Sequence, residues 1–434
     1  MRKSKFLSVL IATTLALTLA VPTVMPLELT TGVVKAVEVT TTAPSQKIEG
    51  RCGDNAIYSY DKATRTLMIS GTGAMWNGTK YSHLGTVDKI VIGNGITVIG
   101  EDAFAKFNGV GSAEISDTVT TIKGNAFKDL KSITIPKTVR TVETDAFYSV
   151  GKVVVEGDMN NFQYGALGYE VQEVQLKGSA ETLGLALALV NDRDRLSVTI
   201  TKDNNRCRIA NGCLVSSDGK TVYYHISDSY KVTIPDTAVT IKSAAFCDQG
   251  IEEVKLGKNV TTIEPYAFAE SHVSKLTTNS KLKKIGRCAF KGTIFLEKVT
   301  LKSSVAMSPK AFDQKVILTS TKSLKSAKTV MTSATFKKNK INAKFAKLTG
   351  AKGYQVQIKK GGKIYKYFTT KTSIKVKAPK VFKKKYNVSF SYDIDNYTSK
   401  IEGKPAYISV RPYKIVKKNK KSYGKWSEKI VLTK

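Results

Sequence analysis

Short alternations of apolar and polar residues recur through the middle of this 434-residue chain. Each one has two apolar side chains separated by a single residue, which places both on the same face of a β-strand. The pairs with this spacing are Ile90 and Ile92, Ile133 and Ile135, Val232 and Ile234, Val254 and Leu256, and Val299 and Leu301. The pattern predicts a series of short strands that each bury one face.

An Ala-Phe pair occurs at regular intervals among these alternations. The phenylalanines are 23 and then 20 residues apart in a first group and 22 residues apart in a second, and each follows an apolar residue by five positions. A unit of this length buries its apolar side only by stacking on its neighbours, so the spacing predicts a solenoid. The predicted repeat core consists of Ile99, Phe104, Ile122, Phe127, Val142, Phe147, Ile241, Phe246, Ile263, Phe268, Ile285, Phe290, Met307 and Phe312.

Two further repeats fit the same template between the two groups, although they lack the phenylalanine. They are marked first by Val153, Val155, Phe162 and Ala166-Leu167, and then by Val174, Leu176, Leu183 and the apolar run 185–190. We therefore expect about nine repeats in an array over 89–318. An interruption near 192–230 predicts a strand at 196–200 and a hairpin with Asp218-Gly219 at its turn.

The repeat, V-x-I-P-x3-V-x2-I-x4-A-F, resembles the BspA-like leucine-rich repeats of bacterial surface proteins over roughly 89–316. Residues 51–77 resemble the hairpin segment that often precedes such arrays. In that segment Ile57 with Ser59, and Leu67 with Ile69, predict two strands that cover the edge of the first repeat within a capping region at 50–88. The resemblance implies a mainly β leucine-rich repeat solenoid with an N-terminal capping hairpin, which presents a concave sheet to a ligand.

The periodicity ends after a predicted linker at 319–336, and shorter strand-like runs follow it. Seven of them lie in 337–434, which predicts a β-sandwich after the solenoid. The runs are 341–345, 354–358, 365–369, 373–376, 386–392, 407–413 and 429–432. Gly361-Gly362 predicts a hairpin turn, Trp426 is a core candidate, and YDIDNYTSKIEG, beginning at Tyr392, predicts a protruding loop. The stretches GAKGYQVQIKKGGKIYKYF and AYISVRPY resemble the fibronectin type III-like modules of secreted bacterial proteins.

The N-terminal 36 residues have the pattern of a secretion signal. Arg2, Lys3 and Lys5 precede an apolar run at 6–19, which is short for a membrane span. Cleavage is expected after Ala36, with Ala20 as the alternative site and an uncleaved anchor as the other interpretation. A linker at 37–49 follows. We expect a secreted protein, retained non-covalently at the cell surface or released.

The positive charge of the chain is concentrated at its C-terminal end. Residues 319–434 contain 30 Lys and one Arg against four acidic residues, which is +27 of a total of +34. Such a field attracts polyanions. The expected partners are an anionic cell-wall polymer or a sulfated or sialylated glycan, and no nucleic acid. The candidate contacts are Lys383, Lys384, Lys385, Lys417, Lys418, Lys420 and Lys421.

The sequence contains no catalytic motif, cofactor motif or metal-ligand spacing that we can assign. Cys52, Cys247 and Cys288 lie in apolar contexts typical of core residues, whereas Cys207 and Cys213 are close enough in sequence to form a disulfide. We therefore expect a non-enzymatic protein that binds an extracellular protein or glycan. The alternatives are an accessory or catalytic protein of cell-wall or glycan metabolism that uses the repeats as a scaffold, and a structural spacer.

Overall fold

The computed structural model describes residues 47–78, 81, 83–191, 195–313, 315–321, 323, 327–379, 387–390, 399–402, 405–416 and 419–432. This part of the chain consists of β-strands and turns, with one helix, α1 (Leu183–Ala186). It is therefore mainly β, as the alternating pattern predicts. The predicted signal peptide lies outside the described residues.

Three antiparallel strands begin the described chain: β1 (Lys47–Arg51), β2 (Gly53–Asp61) and β3 (Thr66–Met75). The first half of β3 pairs in parallel with β4 (Lys89–Ile92), and its second half pairs with β5 (Ile96–Ile99). The hairpin thus provides the first strand of two separate ladders and covers the edge of both. A strand edge left open at this point would expose unpaired backbone N–H and C=O groups, which invite pairing with other chains.

The buried face of β2 differs from the predicted one by a single residue. Leu67 and Ile69 of β3 are fully buried, but Ile57 of β2 is about half exposed at 49%. The core side chains of β2 are instead Ala56, Tyr58 and Tyr60. Tyr58 and Tyr60 lie on the same face of the strand and have enough apolar ring area to fill this end of the core. A shift of one residue turns every side chain of a strand to the other face, which explains why Ile57 is exposed.

The first part of the array continues two parallel ladders away from β3. The long ladder contains β4, β6 (Val110–Ile115), β8 (Phe127–Ile135), β10 (Phe147–Val155), β11 (Glu173–Leu176) and β12 (Ser197–Ile200). The short ladder contains β5, β7 (Thr121–Ile122) and β9 (Thr141–Val142), and Val142 makes a further parallel bridge to Phe162. The coils that begin with β4, β6 and β8 therefore add one strand to each ladder, and the next coil adds only the single residue Phe162 to the short ladder.

The second part of the array repeats this arrangement, and its short ladder has a step of 22 residues from Ile241 to Met307. Its long ladder contains β16 (Lys231–Thr233), β18 (Glu253–Lys255), β20 (Lys275–Thr277), β22 (Lys298–Leu301) and β24 (Ile317–Ser320). Its short ladder contains β15 (Thr221–His225), β17 (Thr240–Ile241), β19 (Thr262–Ile263), β21 (Lys284–Ile285) and β23 (Ala306–Met307). The predicted solenoid of stacked coils is confirmed.

The Ala-Phe pairs form a third row of contacts along the array. The backbone N–H of each Ala-Phe phenylalanine from Phe104 to Phe290 donates to the alanine carbonyl of the next coil, for example from Phe246 to Ala267 at 2.7 Å and from Phe268 to Ala289 at 2.8 Å. The rings stack with centroids 4.7 to 5.0 Å apart from Phe246 to Phe312. Alanine suits its position because a larger side chain would hold adjacent coils apart.

Each of these turns requires a left-handed backbone conformation two residues before the phenylalanine. The residues there have φ values between 51° and 60°, and they are Asp102, Asn125, Asp145, Ala244, Tyr266, Cys288 and Lys310. Asp and Asn tolerate this conformation, whereas other L-residues adopt it at a cost. The second part of the array therefore contains backbone strain that the first part largely avoids.

The two repeats without phenylalanine keep the same backbone contacts. The N–H of Phe147 donates to the Ala166 carbonyl, and the N–H of Leu167 donates to the Ala186 carbonyl at 3.1 Å. Leu167 and Leu187 therefore take the position that phenylalanine has elsewhere, and both are fully buried. In the second of these repeats the turn is the helix α1.

The interruption begins later than the sequence suggests. The strand predicted at 196–200 is β12, which pairs in parallel with β11 and therefore belongs to the long ladder. Two hairpins follow it, formed by β13 (Cys207–Ala210), β14 (Cys213–Ser216) and β15. The Asp218-Gly219 hairpin is confirmed. The Asn211-Gly212 turn before it, with φ values of 51° and 72°, is an additional hairpin that its Asn-Gly sequence indicates.

The C-terminal strands form two sheets that fit a β-sandwich. The first sheet contains β25 (Met331–Lys337), β26 (Lys340–Phe345) and β30 (Ser373–Lys377); the second contains β28 (Gly353–Lys360), β29 (Lys363–Thr369), β33 (Tyr407–Ile415), β34 (Lys421–Tyr423) and β35 (Ile430–Val431). A separate pair contains β31 (Asn387–Phe390) and β32 (Ser399–Glu402). The core between the two sheets includes Phe345, Val356 and Ile408.

Two local predictions for this region have different outcomes. Gly361-Gly362 forms the turn between β28 and β29 with positive φ at both residues, as predicted. Trp426 is half-buried and lies outside the core, since the guanidinium carbon of Arg411 is 4.5 Å from the centre of its ring. Of the predicted loop that begins at Tyr392, only β32 lies within the described residues.

The end of the array is joined to the sandwich by direct strand pairing. The short strand β27 (Lys347–Leu348) pairs in parallel with β24, and Leu348 lies in the same apolar core as Leu318. Val330 and Ala346 also belong to that core. The segment predicted as a linker therefore contains the last residues of β24 and the first residues of β25, and residues beyond it complete the final coil.

Candidate binding surfaces

The predicted repeat-core residues lie inside the array. All fourteen have 2% or less of their surface exposed, from Ile99 and Phe104 in the first coils to Met307 and Phe312 in the last. These side chains hold the coils together and do not reach a ligand. Any recognition by the array therefore uses the residues that alternate with them.

The outward face of the long ladder is the broadest regular surface of the first part of the array. Residues paired across neighbouring strands lie side by side on it, so that Ser112 is next to Ser132 and Ser132 is next to Lys152. Thr134 and Val154 form an adjacent row. Three of these outward positions, Ser112, Ser132 and Thr134, thus carry small hydroxyl side chains.

A groove of about 430 Å³ lies on this face, lined by residues of β6, β8 and β10. Ser112, Ser132 and Thr134 line it, and they provide hydrogen-bond donors and acceptors. Two charged residues of the groove, Glu114 and Lys152, form ion pairs with neighbouring strands. Nζ of Lys89 is 2.6 Å from Oε1 of Glu114, and Nζ of Lys152 is 2.8 Å from Oε1 of Glu173. The result is an open surface on which hydroxyl and charged groups lie beside apolar side chains such as Val154.

The same face is more basic in the second part of the array. Glu253 lies between two lysines, with Nζ of Lys275 at 3.0 Å and Nζ of Lys231 at 3.6 Å from its carboxylate. The hydrogen bond from Lys275, followed by the charge of Lys231, lowers the pKa of this carboxyl group below its usual range. The two parts of the long ladder therefore present different surfaces.

A second cavity, of about 420 Å³, lies where the long ladder is interrupted. Leu196 and Val198 of the β12 region line one part of it, and the segment from Tyr224 to Tyr230 lines another. His225 is 5% exposed, and its Nδ1 is 3.0 Å from Oε1 of Gln249. Its Nε2 is buried and has no hydrogen-bond partner. Burial lowers the pKa of this imidazole, which favours its neutral form.

The cysteines are buried thiols. All five are free, including Cys207 and Cys213, so the disulfide left open by the sequence is not formed. Cys213 lies opposite His225 in the β14–β15 register, but burial raises the pKa of its thiol to about 12. A thiol with that pKa remains protonated near neutral pH and is a poor nucleophile. Cys52, Cys247 and Cys288 are buried, at the core positions that the sequence indicates.

The residues described here contain no cluster of three or more His, Cys, Asp or Glu side chains arranged to hold a metal ion. Within the same ranges, no helix is long and apolar enough to cross a membrane.

Of the seven lysines predicted to contact an anionic surface, two are described. Both are exposed: Lys420 lies just before β34, and Lys421 is its first residue. Nζ of Lys421 lies 4.7 Å from the ring centre of Phe368 on β29, so the structure brings this cation together with an aromatic ring. Lys383, Lys384, Lys385, Lys417 and Lys418 lie outside the described residues.

A group of aromatic residues near Lys421 was not singled out from the sequence. It includes Phe368, Tyr413 and Tyr423, which lie on three different strands of the second sandwich sheet. One sequence signal was available for Phe368. Ile364, Lys366 and Phe368 are every second residue of a strand and therefore lie on one face of it. Sequence order alone does not show that the three strands belong to one sheet.

Stacked coils with parallel ladders define this protein as a leucine-rich repeat solenoid with a C-terminal sandwich. A family profile described as the BspA type leucine-rich repeat region matches residues 79–177 and 218–342 in six copies. The chain belongs to the BspA type leucine-rich repeat family. It matches no curated protein.

Solved structures of repeat proteins resemble the chain at low sequence identity. The pneumococcal vaccine antigen PcpA is 13% identical with a TM-score of 0.39, and the match covers 64% of this chain and 82% of that one. A leucine-rich cell surface protein from Faecalibacterium prausnitzii is 15% identical with a TM-score of 0.40, covering 64% and 89%. A leucine-rich repeat protein from Eubacterium ventriosum is 17% identical with a TM-score of 0.34, covering 65% and 93%.

Proposed function

We propose that this protein is a secreted or cell-surface binding protein without enzymatic activity, and that it recognises an extracellular protein or glycan through the long ladder. The observation that carries the proposal is the groove across β6, β8 and β10. The groove is open, and the hydroxyl and charged side chains that line it alternate with buried residues of the array such as Ile133. Membership of the BspA type family supports a role at the cell surface.

The groove suits a ligand that lies across several strands. Ser112 and Ser132 are paired in register, and Lys152 follows them in the same row, so a ligand that crosses the three strands meets two hydroxyl groups and then an ammonium group. The ion pairs Lys89–Glu114 and Lys152–Glu173 are partly exposed, and each retains hydrogen-bonding capacity for a polar ligand. Repeat solenoids use surfaces of this kind for extended ligands.

The groove proposal is tested by blocking it without touching the core. Thr134 is exposed on the groove and is followed by Ile135-Pro136; Thr233 is exposed on the second part of the same ladder and is followed by Ile234-Pro235. Thr134→Trp and Thr233→Trp are therefore matched variants at equivalent positions of two coils. Each is measured against immobilised matrix glycoproteins, mucin glycans and isolated cell walls.

We expect Thr134→Trp to weaken retention on one of these probes by about tenfold or more, because the indole fills the groove, while Thr233→Trp leaves it unchanged. Equal effects of the two variants, or no effect of either, would show that the groove is not the binding surface. Hydrolysis of a cell-wall or mucin glycan by the purified chain, abolished by changing a single carboxylate, would replace this proposal with the enzymatic alternative.

For the C-terminal sandwich we propose a fibronectin type III-like module that docks on an anionic polymer outside the cell. The charge of +27 over 319–434 supports this role, since surface lysines attract a polyanion through the screened field. The signal-like N-terminus supports export of the chain. Docking predicts retention on anionic cell walls that is lost at high salt and absent on walls stripped of their anionic polymers.

Deletion of the sandwich is a poor test of docking. Leu348 and Ala346 belong to the core of the array, and β27 pairs in parallel with β24 of the last coil. Removing 335–434 would therefore open the last coil as well as remove the charge. Wall-binding experiments are better done on the full chain, with the polymer or the salt concentration varied.

A further inference from the structure

We propose that one face of the sandwich binds acidic polysaccharides whose sugar rings carry carboxylate or sulfate groups. The face is formed by Phe368, Arg411, Tyr413, Lys421, Tyr423 and Trp426, and we refer to it as the aromatic–cationic face. The proposal rests on the docking role proposed for this module and names the surface and the class of polymer.

Strand register places these side chains together. Gln355 of β28 is paired with Phe368 of β29 on one side and with Arg411 of β33 on the other, and Tyr413 of β33 is paired with Tyr423 of β34. Residues directly opposite each other in paired strands lie on the same face of a sheet. Val356 and Ile358 lie on the opposite face of β28 from Gln355 and belong to the sandwich core. The aromatic–cationic face is therefore the outer surface of the sheet.

Arg411 is held in a fixed position on this face. Its Nε donates to Oε1 of Gln355 at 2.8 Å, and its guanidinium carbon lies 4.0 Å from the ring centre of Tyr423 and 4.5 Å from that of Trp426. Gln355 is 3% exposed, so the amide that orients the guanidinium is itself held by the sheet. A planar guanidinium fixed in this way binds a carboxylate or sulfate with little further loss of side-chain entropy.

Lys421 provides a second cation beside an exposed ring. Its Nζ lies 4.7 Å from the ring centre of Phe368 and 5.4 Å from that of Tyr413. Phe368 remains 47% exposed. Neither Lys421 nor Arg411 forms an ion pair with a carboxylate of the described chain, and none of the outer-face positions in β28, β29, β33 and β34 is acidic. The positive charge of this face is therefore available to a ligand.

The aromatic rings select among polyanions. A pyranose ring has apolar C–H groups that pack on an exposed aromatic side chain, while its carboxylate or sulfate pairs with the adjacent cation. A polyol phosphate lacks such a ring and would use only the cations. Lys421 lies over the ring of Phe368, and Arg411 lies over the rings of Tyr423 and Trp426, so each aromatic side chain of the face has a cation beside it. The signal-like N-terminus supports export of the chain, which favours an extracellular sugar polymer over nucleic acid as the ligand.

The test uses the full chain and a defined probe, an oligogalacturonate, in titrations at low and high salt. Phe368→Ala and Lys421→Gln change the proposed face. Their matched controls are Phe295→Ala, which removes a phenylalanine with 52% exposure in the array, and Lys375→Gln, which removes an exposed lysine of β30 on the other sandwich sheet. Thermal unfolding of each variant shows that it remains folded.

We expect salt-sensitive binding of oligogalacturonate that Phe368→Ala weakens about fivefold and Lys421→Gln about threefold, with both controls unchanged. Fully methyl-esterified oligogalacturonate should not bind, and polyglycerol phosphate and oligothymidylate should bind more weakly and show no dependence on Phe368. If Lys375→Gln weakens binding as much as Lys421→Gln, or if oligothymidylate depends equally on Phe368, the proposed face or its ligand class is wrong while docking by net charge survives. If no polyanion binds, the docking role fails together with this inference.

Discussion

The imidazole of His225 stacks on the ring of Phe246, with the two centroids 5.5 Å apart and an angle of 30° between the planes. The N–H of His225 donates to the Ala245 carbonyl at 3.1 Å, as the N–H of Phe246 donates to the Ala267 carbonyl. His225 therefore takes the position of the repeat phenylalanine at the start of the second part of the array. The stack of aromatic rings begins with a titratable group.

This arrangement predicts a pH dependence of stability. Burial lowers the pKa of His225 more than Gln249 and Asp228 raise it, so the folded chain binds a proton there less readily than the unfolded chain. Stability from this group is present above the ordinary histidine pKa of about 6.5 and is lost as the pH falls below it. We expect His225→Phe to reduce the loss of unfolding free energy between neutral and mildly acidic pH, as measured by denaturant titration.

The control for this prediction is His272→Phe. His272 is exposed and contacts Phe295 edge to face at 5.8 Å, so the substitution removes a histidine without changing the buried stack. It should leave the pH dependence close to that of the original chain. A pH profile that is the same for His225→Phe and the original chain would show that the protonation of His225 is not linked to folding.

Phe268 provides a test of the stack itself. Its ring is fully buried between those of Phe246 at 4.7 Å and Phe290 at 5.0 Å. Phe268→Ala should lower the unfolding free energy by about 3 to 5 kcal/mol, because it leaves a cavity in a rigid stack. Limited proteolysis should then begin near this coil.

Substitution by leucine should be milder, since Leu167 already takes the equivalent position in another coil. We expect Phe268→Leu to cost about 1 kcal/mol and Phe295→Ala, at an exposed position, less than about 0.5 kcal/mol. Equal costs for Phe268→Ala and Phe295→Ala would contradict a stability that depends on the stacked rings.

The repeat was predictable because its buried positions must satisfy the same packing in every coil. The repeat that contains Ala166-Leu167 illustrates this point. It keeps the backbone contacts of the template, although Leu167 stands where the other repeats have the phenylalanine of Ala-Phe. The face of β2 was not predictable in the same way. Ile57, Tyr58 and Tyr60 are all apolar enough for a core, and only the packed hairpin shows which of them are buried.

The candidate surfaces were less predictable than the core. Lysine content indicates a basic module, but Phe368, Arg411 and Lys421 come from three strands of one sheet in which β28, the earliest strand in sequence, lies between β29 and β33. Trp426, a core candidate because it is near the last strand, is half-buried and contacts Arg411 outside the core. A surface of this kind depends on strand register, which the variable residues of one sequence do not specify.

Lys310 tests the backbone strain of the second part of the array. It is an exposed residue with a φ of 60°, and the residue at the equivalent position before Leu167 is Gly165, with a φ of 67°. We expect Lys310→Gly to raise the unfolding free energy by about 1 kcal/mol, because relief of the left-handed strain exceeds the entropy that glycine adds to the unfolded chain. Thermal or denaturant unfolding measures this difference.

The same substitution at an ordinary backbone position is the control. Lys302 is exposed and does not have a positive φ, so Lys302→Gly should lower the unfolding free energy. Destabilisation by both substitutions to a similar extent would show that the strain at residue 310 is negligible.

The cysteines give a prediction about oxidation state. In the β13–β14 register Cys207 lies opposite Ser216 and Cys213 lies opposite Ala210, so the two thiols are about three residues, or roughly 10 Å, apart along the strands. A disulfide requires α-carbons within about 7 Å of each other. Burial also raises the pKa of Cys207 to about 11, which slows its oxidation.

Alkylation after denaturation without reductant should therefore add five groups per chain by intact mass, and prior reduction should leave that number unchanged. Three groups without reductant and five after reduction would establish a disulfide and contradict the structure of this hairpin.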